Sequence, residues 1–393
     1  MSYKHGIYTE NVASAGSLAI KANGTVPVYI GTAKNSTTAD VNKPILINSY
    51  ADFVAKVGYD EDWDSYTLSE VGFAHFQNNI QAIAPFVVIK MGTGDTAFAD
   101  ALAAVDKVPV VCGVTPNIIV APKYSEDTAN ATAMVSKCTA KIDGKWACVA
   151  YIDIPTSSAD TIAKAISYKS TAKITSKLAR LHYPKAKFGG RVFHLSVLDA
   201  VVTQIVDNST DGVSCRSSSN KVIPCDVPVF DKDTDFVYSE SEANSLNEKG
   251  ITTINYIGGS YRLWGGHMAN YDYSTISSIN PQDMSDATVR MQAYLDNWLK
   301  IGFIDVIDTP LTRREIDNLL SSVSIWLNSL VNSGYLLKGE CYFDGGDNAT
   351  SELADGNLVL DVLHTETPNG KAISFKLQYD ISGLDTLYTA QEV

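Results

Sequence analysis

The chain has 393 residues, 45% of them apolar, and its 31 Lys and Arg against 44 Asp and Glu leave a formal charge of −13. This composition excludes a disordered chain or a small disulfide scaffold and fits two or three packed units. With no Lys/Arg cluster, no apolar signal core in Met1–Gly6 and no uncharged apolar run of about 18 residues, the expectation is no nucleic-acid partner, no standard export signal and no membrane insertion.

Residues 1–22 read as an extended arm, in which Gly6-Ile7-Tyr8-Thr9-Glu10 is a short strand followed by small and polar residues. A compact β-rich segment over 23–95 follows. Its strands are Val26–Gly31 and Pro44–Ile47, with a short helix capped by Ser49 and a second over Leu68–Asn78. From about residue 84 strands and helices alternate. Phe86–Ile89, Ile118–Val120 and Trp146–Ile154 are strands, and helices are predicted near 97–105, 129–140, 159–168 and 197–206. The uninterrupted apolar strands predict a parallel sheet buried on both faces. The polar stretch 207–240 is expected to be a long surface loop that interrupts the sheet.

A strand signal resumes at Gly250–Ile254, and two amphipathic helices come next. Met291, Tyr294, Leu295, Trp298 and Leu299 share one face of the first, with Gly302 expected as its stop. Thr312–Glu315 reads as a capping box for the second, whose Ile316, Leu319, Leu320, Val323, Trp326, Leu327 and Leu330 hold helical spacing up to Gly334. At the end, a hairpin is expected between 358–363 and 373–381 around Pro368-Asn369-Gly370. Ile373, Phe375, Leu377, Tyr379 and Ile381 would form its apolar face. A nine-residue strand of this kind spans about 30 Å, and at a chain end its outer edge needs a partner. The fold class is therefore α/β: a central open sheet, a β-rich N-terminal segment, a C-terminal helix pair with a β-hairpin, and extended terminal arms.

Catalytic and ligand motifs are weak. Phosphate-binding glycine loops, a nucleophile elbow and HExxH are missing, and no catalytic, cofactor-binding or metal-binding residue is assigned. Cys112, Cys138, Cys148, Cys215, Cys225 and Cys341 form no CxxC pair and read as reduced thiols. Asp231, Asp233, Asp235 and Glu242 copy positions of a calcium loop, but Phe236 stands where the turn requires glycine, so an acidic loop is the reading. His182, His194 and His267 have no partner identifiable from spacing.

Leu246-Asn247-Glu248-Lys249-Gly250-Ile251-Thr252-Thr253-Ile254, then Tyr261-Arg262-Leu263-Trp264-Gly265, resembles a signature of contractile-tail sheath proteins of phage tails and R-type bacteriocins. The segment Asn332-Ser333-Gly334-Tyr335 through Cys341-Tyr342-Phe343 fits the same pattern. The resemblance covers mainly 246–380, with weaker similarity at Gly6-Ile7 and Val28–Gly31. It implies a structural subunit without cofactors that stacks as hexameric rings around an inner tube and contracts. Its partners would be copies of itself, the tube protein, and baseplate and terminator proteins, in a virion tail or bacteriocin-like particle assembled in the bacterial cytoplasm. The resemblance divides the chain into a linking arm (1–22), a small β-rich domain (23–95), an outward α/β domain (96–245), a tube-facing body (246–365) and a second linking arm (366–393). It implies intersubunit contacts through Ile7, Tyr8, Ile373, Phe375, Leu377, Tyr379 and Ile381. A soluble α/β enzyme of hydrolase type, or another self-assembling shell or tube protein, remains the alternative.

Overall fold

A computed structural model of the protein describes residues 24–387 apart from 39 and 232. The strands among the described residues are β1 (Pro27–Gly31), β2 (Pro44–Ile47), β3 (Phe86–Lys90), β4 (Ile118–Val120), β5 (Val149–Asp153), β6 (Ala179–His182), β7 (Lys185–Phe188), β8 (Arg191–Phe193), β9 (Val227–Val229), β10 (Ile251–Ile257), β11 (Ser260–Trp264), β12 (Leu336–Tyr342) and β13 (Asp361–Glu366). The α-helices are α1 (Tyr50–Lys56), α2 (Thr67–Phe76), α3 (Ala97–Ala103), α4 (Val108–Cys112), α5 (Thr128–Ala140), α6 (Ile162–Ala172), α7 (Leu195–Asn208), α8 (Glu240–Asn247), α9 (Asp286–Gly302), α10 (Arg313–Asn332) and α11 (Thr350–Ala354).

Eight strands form one sheet in the order β11-β10-β6-β5-β4-β1-β3-β2. The interior pairings from β10 to β3 are parallel, and antiparallel β11 and β2 close the two edges. Strand periodicity sorts the core. Val28, Ile30, Val87, Ile89, Ala150 and Ile152 face a layer containing Phe98, Met134 and Ala165 of α3, α5 and α6. Tyr29, Val88, Val120, Val149 and Tyr151 face the opposite layer, with Phe53, Val71 and Leu198 of α1, α2 and α7. Alternate residues of one strand therefore serve two helix layers, as a doubly covered sheet demands.

Strands from 23–95, from 96–245 and from 246–365 all enter this sheet, so the divisions at 95 and 245 fall inside one continuous element. The reason lies in the strand order, because β1 is inserted between β4 and β3. The expected surface loop is also corrected. Thr210, Val213, Ser214, Ser218 and Ile223 are buried, and β9 pairs with β7 in a separate three-stranded sheet. Its serines and threonines turn inward because buried charged groups there require partners.

A third core joins α9, α10 and β12 through Met291, Leu295, Val323, Leu327, Leu330 and Leu336. Trp298 stacks on Trp326 with ring centroids 3.8 Å apart and planes 4° from parallel. The two helices match their expected spans, with one local difference at the capping box. Helix α9 ends at Gly302 as expected; at the start of α10 the Thr312 hydroxyl accepts from the Glu315 N–H, while the reciprocal capping box forms instead at Ser239 and Glu242.

The terminal hairpin takes a different form. Strand β13 pairs antiparallel with β12, upstream of the expected turn partner, and 371–380 has no strand partner among the described residues. The Pro-Asn-Gly turn signal is local, whereas the pairing is decided by the β12 edge that the third core presents.

Candidate intersubunit surface

The apolar residues expected on the C-terminal face are all exposed. Phe375 is 85% and Leu377 97% accessible, and Ile373, Tyr379 and Ile381 are similarly open. Ile7 and Tyr8 lie outside the described residues. A row of five large apolar side chains at every second position, left in solvent, has the form of a strand awaiting another sheet.

The segment is rooted firmly in the body. The Thr367 hydroxyl donates to the Gly334 carbonyl at 2.8 Å, and the Lys371 ammonium donates to the Tyr271 hydroxyl at 3.1 Å. That ammonium also stands 5.1 Å from the Tyr271 ring centroid. Tyr271 is in turn stacked on His267, with centroids 3.6 Å apart. Burial, aided by Lys371, pushes the His267 imidazole down to about 4, so it packs as a neutral ring.

Beside this root, β12 and β13 form a two-stranded ribbon whose outer edges are unpaired among the described residues. One face of the ribbon lies on α10: a Cβ on Gly339 would sit 3.0 Å from the Leu327 Cβ. Leu337, Tyr342 and Leu363 are exposed. A two-stranded ribbon is marginal on its own, so it gains from helix backing and from added strands.

The ribbon and its helices are fixed to the sheet by α9. Asp286, in its first turn, accepts from Arg180 Nη1 at 2.7 Å and from Ser217 at 3.0 Å. One turn later Arg290 pairs with Asp207, which also accepts from Thr25 and, at 2.9 Å, from Ser214. Further along, the Asn297 amide bonds both polar groups of the Ala147 backbone, at 2.8 and 3.0 Å. Arg180 of β6 is fully buried and also reaches Thr252 and Ser218, each at 3.0 Å, and the Gly265 carbonyl at 2.9 Å. Burial alone would raise the Asp199 carboxyl, but Arg180 and His182 beside it hold it down to about 2.

This buried set tests the hydrolase alternative. His182 Nε2 lies 2.7 Å from Asp199 Oδ2, yet the nearby Ser218 hydroxyl donates to the other oxygen of Asp199 and not to the imidazole. All three side chains are closed off from solvent. Two small cavities, one beside Lys173 of about 200 Å³ and one beside Gln204 of about 90 Å³, are lined by none of them. The arrangement lacks the nucleophile–base contact and the cleft that acyl transfer requires. It holds helices to a sheet.

The remaining sequence candidates have structural posts. His194 opens α7 with Nδ1 2.8 Å from Glu70 and Nε2 3.3 Å from Glu126. Asp231 accepts the N–H groups of Asp233 and Thr234, and Glu242 closes the cap of α8. Sequence reasoning did not find Arg180, Asp199, Asp207, Asp286 or Arg290, whose partners lie far apart in the chain.

The signature around 247–265 closes on itself. With its amide nitrogen turned toward the Ile251 and Trp264 carbonyls, 2.9 Å from each, Asn247 joins the two halves of the motif. Gly265 lies so close to Asn247 that a Cβ would stand 2.1 Å from the tip of its side-chain amide. Gly250 has φ +68°, and its missing Cβ would meet the Met268 carbonyl at 2.4 Å.

No protein-family model matches the chain. It is 27% identical over 295 residues to the tail sheath protein of Burkholderia phage BcepMu, covering 70% of this chain and 57% of that protein. It is 24% identical over 403 residues to a prophage major tail sheath protein of Pseudomonas aeruginosa strain UCBPP-PA14, covering 96% and 97%. The chain thus spans little more than half of the first relative and nearly all of the second. In fold it resembles a chain of the anti-feeding prophage baseplate, with TM-score 0.70 and 16% identity over 97% of this chain and 100% of that one. It also resembles a chain of the contracted PVC sheath complex of an extracellular contractile injection system, with TM-score 0.69 and 16% identity over 98% and 99%.

Proposed function

Because this chain belongs to the contractile-tail sheath proteins, we propose that it is a structural subunit, not an enzyme, that polymerises with its own copies into a tail sheath. The observation that carries the assembly reading is the apolar C-terminal row of Ile373, Phe375, Leu377, Tyr379 and Ile381, exposed in a chain whose β12–β13 ribbon has outer edges unpaired among the described residues. In the polymer that row adds as a strand to the β12–β13 ribbon of a neighbouring copy, and the N-terminal arm carrying Ile7 and Tyr8 makes the second link. Main-chain hydrogen bonds supply the connection, and alternate side chains set its register.

The subunits stack as hexameric rings around a tube protein, between a baseplate and a terminator. The α9–α10 region faces the tube, and the opposite side of the sheet faces outward. The folded body moves as one piece during contraction, since Asp286, Arg290 and Asn297 tie α9 to β6, to α7 and to the Ala147 backbone ahead of β5 at three successive levels. A head-to-tail contact of this kind propagates as a helix. The particle is a virion tail or a bacteriocin-like device put together in the bacterial cytoplasm.

The test is negative-stain electron microscopy of concentrated protein over a range of salt, with and without purified tube protein, because repulsion at net charge −13 is screened as salt rises. Hollow, helically striated cylinders are expected. Dispersed globular particles in every condition, including with the tube, would overturn the reading.

A further inference from the structure

Cys138, in the last turn of α5, and Cys148, just before β5, bring their sulfur atoms 3.4 Å apart, with the Cys148 thiol donating to Cys138. Both are free and buried in the core that holds α5 against the sheet; Cys112 packs at the margin of that core, and it, Cys215, Cys225 and Cys341 are also free thiols. We infer that Cys138 and Cys148 are a redox-convertible pair, a modification site that closes to an intrachain disulfide when the folded subunit meets a small disulfide oxidant. An S–S bond of about 2.04 Å requires the sulfurs to approach by about 1.4 Å. The nine residues between them are already drawn into a tight turn by the mutual backbone bonds of Ile142 and Trp146, each 2.9 Å.

The chemistry balances as thiol–disulfide exchange. The Cys148 thiol loses its proton and attacks one sulfur of the oxidant, forming a mixed disulfide and releasing one small thiolate. The Cys138 thiolate then attacks the Cys148 sulfur and expels the second. Two protein thiols lose two electrons, and one small disulfide becomes two thiols. Burial raises the Cys138 thiol above its ordinary range, so closure is slow in the resting fold and proceeds through local opening. The turn supplies that opening, since Lys141, Asp143 and Gly144 all have left-handed backbone and the stretch around Asp143–Lys145 is exposed. The inference is independent of polymerisation and holds for the single subunit.

The experiment incubates the full folded chain with glutathione disulfide, denatures it, alkylates the remaining thiols and maps tryptic peptides without reduction. Trypsin cuts after Lys137, Lys141, Lys145 and Lys164, so the expected product is the peptide 138–141 joined to 146–164, 2 Da lighter than its two thiol forms together. The thermal midpoint should rise by about 2–5 °C, reversibly with dithiothreitol. Cys148→Ala should remove both changes, while Cys225→Ala should leave them intact. Alkylated Cys138 and Cys148 after full incubation, a lasting glutathione adduct on either, or pairing of either with another cysteine would overturn the inference.

Discussion

Asp286 and Arg180 meet at 2.7 Å across 106 residues of chain, both fully buried, and this contact carries the first turn of α9 onto β6. Removing one partner leaves a buried charge unpaired, which is far more damaging than never having had the pair. Arg180→Met should therefore lower unfolding stability by about 3–5 kcal/mol, read as a reduced urea midpoint at unchanged slope. Arg313→Met, in an exposed pair with Asp317, should change it by less than about 0.5 kcal/mol. Equal effects would refute the clamp.

The Trp298–Trp326 stack predicts an optical signature as well as an energy. Indole rings 3.8 Å apart and nearly parallel couple their transitions. Trp326→Ala should abolish an exciton band in the circular dichroism spectrum and reduce stability by about 2 kcal/mol, less than a fully buried tryptophan because Trp326 is half-buried. An unchanged spectrum would contradict the geometry.

His194 sets a pH dependence. Burial would lower its imidazole, but Glu70, assisted by Glu126, outweighs that and raises it to about 10. The folded state holds this proton more tightly than the unfolded chain, whose histidine titrates near 6.5. Its contribution is thus complete below about pH 6.5 and is lost as pH rises toward 10. Lys169 works in the opposite sense, since burial lowers it to about 8 and its contribution grows with pH from there. The stability difference between wild type and His194→Gln isolates the first effect. Measured by urea unfolding, it should be largest at pH 6 and shrink by pH 9.5.

Phe375→Asp separates folding from assembly. The side chain is 85% exposed, so the subunit should keep its melting temperature within about 1 °C while long cylinders fail to form. Deleting 369–393 should give the same folded but unpolymerised body. Normal cylinders from either variant would remove the C-terminal segment from the interface.

The parallel sheet was legible because Phe86–Ile89, Ile118–Val120 and Val149–Ile152 are apolar on both faces, a pattern that only a doubly covered sheet satisfies. Strand β6 was not, because Arg180 and His182 occupy buried positions that hydropathy assigns to solvent. The same network hid the inward course of 207–230, since Ser214 and Ser218 look like loop residues until Asp207, Asp199 and Arg180 are placed beside them. The alternation over 373–381 specifies a face and not a partner. The nearby turn signal pointed to β13, which is already paired with β12.

Thr25 has a mechanical consequence. Its hydroxyl donates to Asp207, which is held by Arg290 of α9, so the residue two positions ahead of β1 is tied to the helix that secures the C-terminal ribbon. A pull on the chain ahead of Thr25 enters the body at this buried knot, while a pull on the chain beyond Lys371 enters at Thr367 and Tyr271. Tension entering at Thr25 therefore divides between β1, which continues from it into the interior of the eight-stranded sheet, and helix α9 with its Trp298 contact to α10.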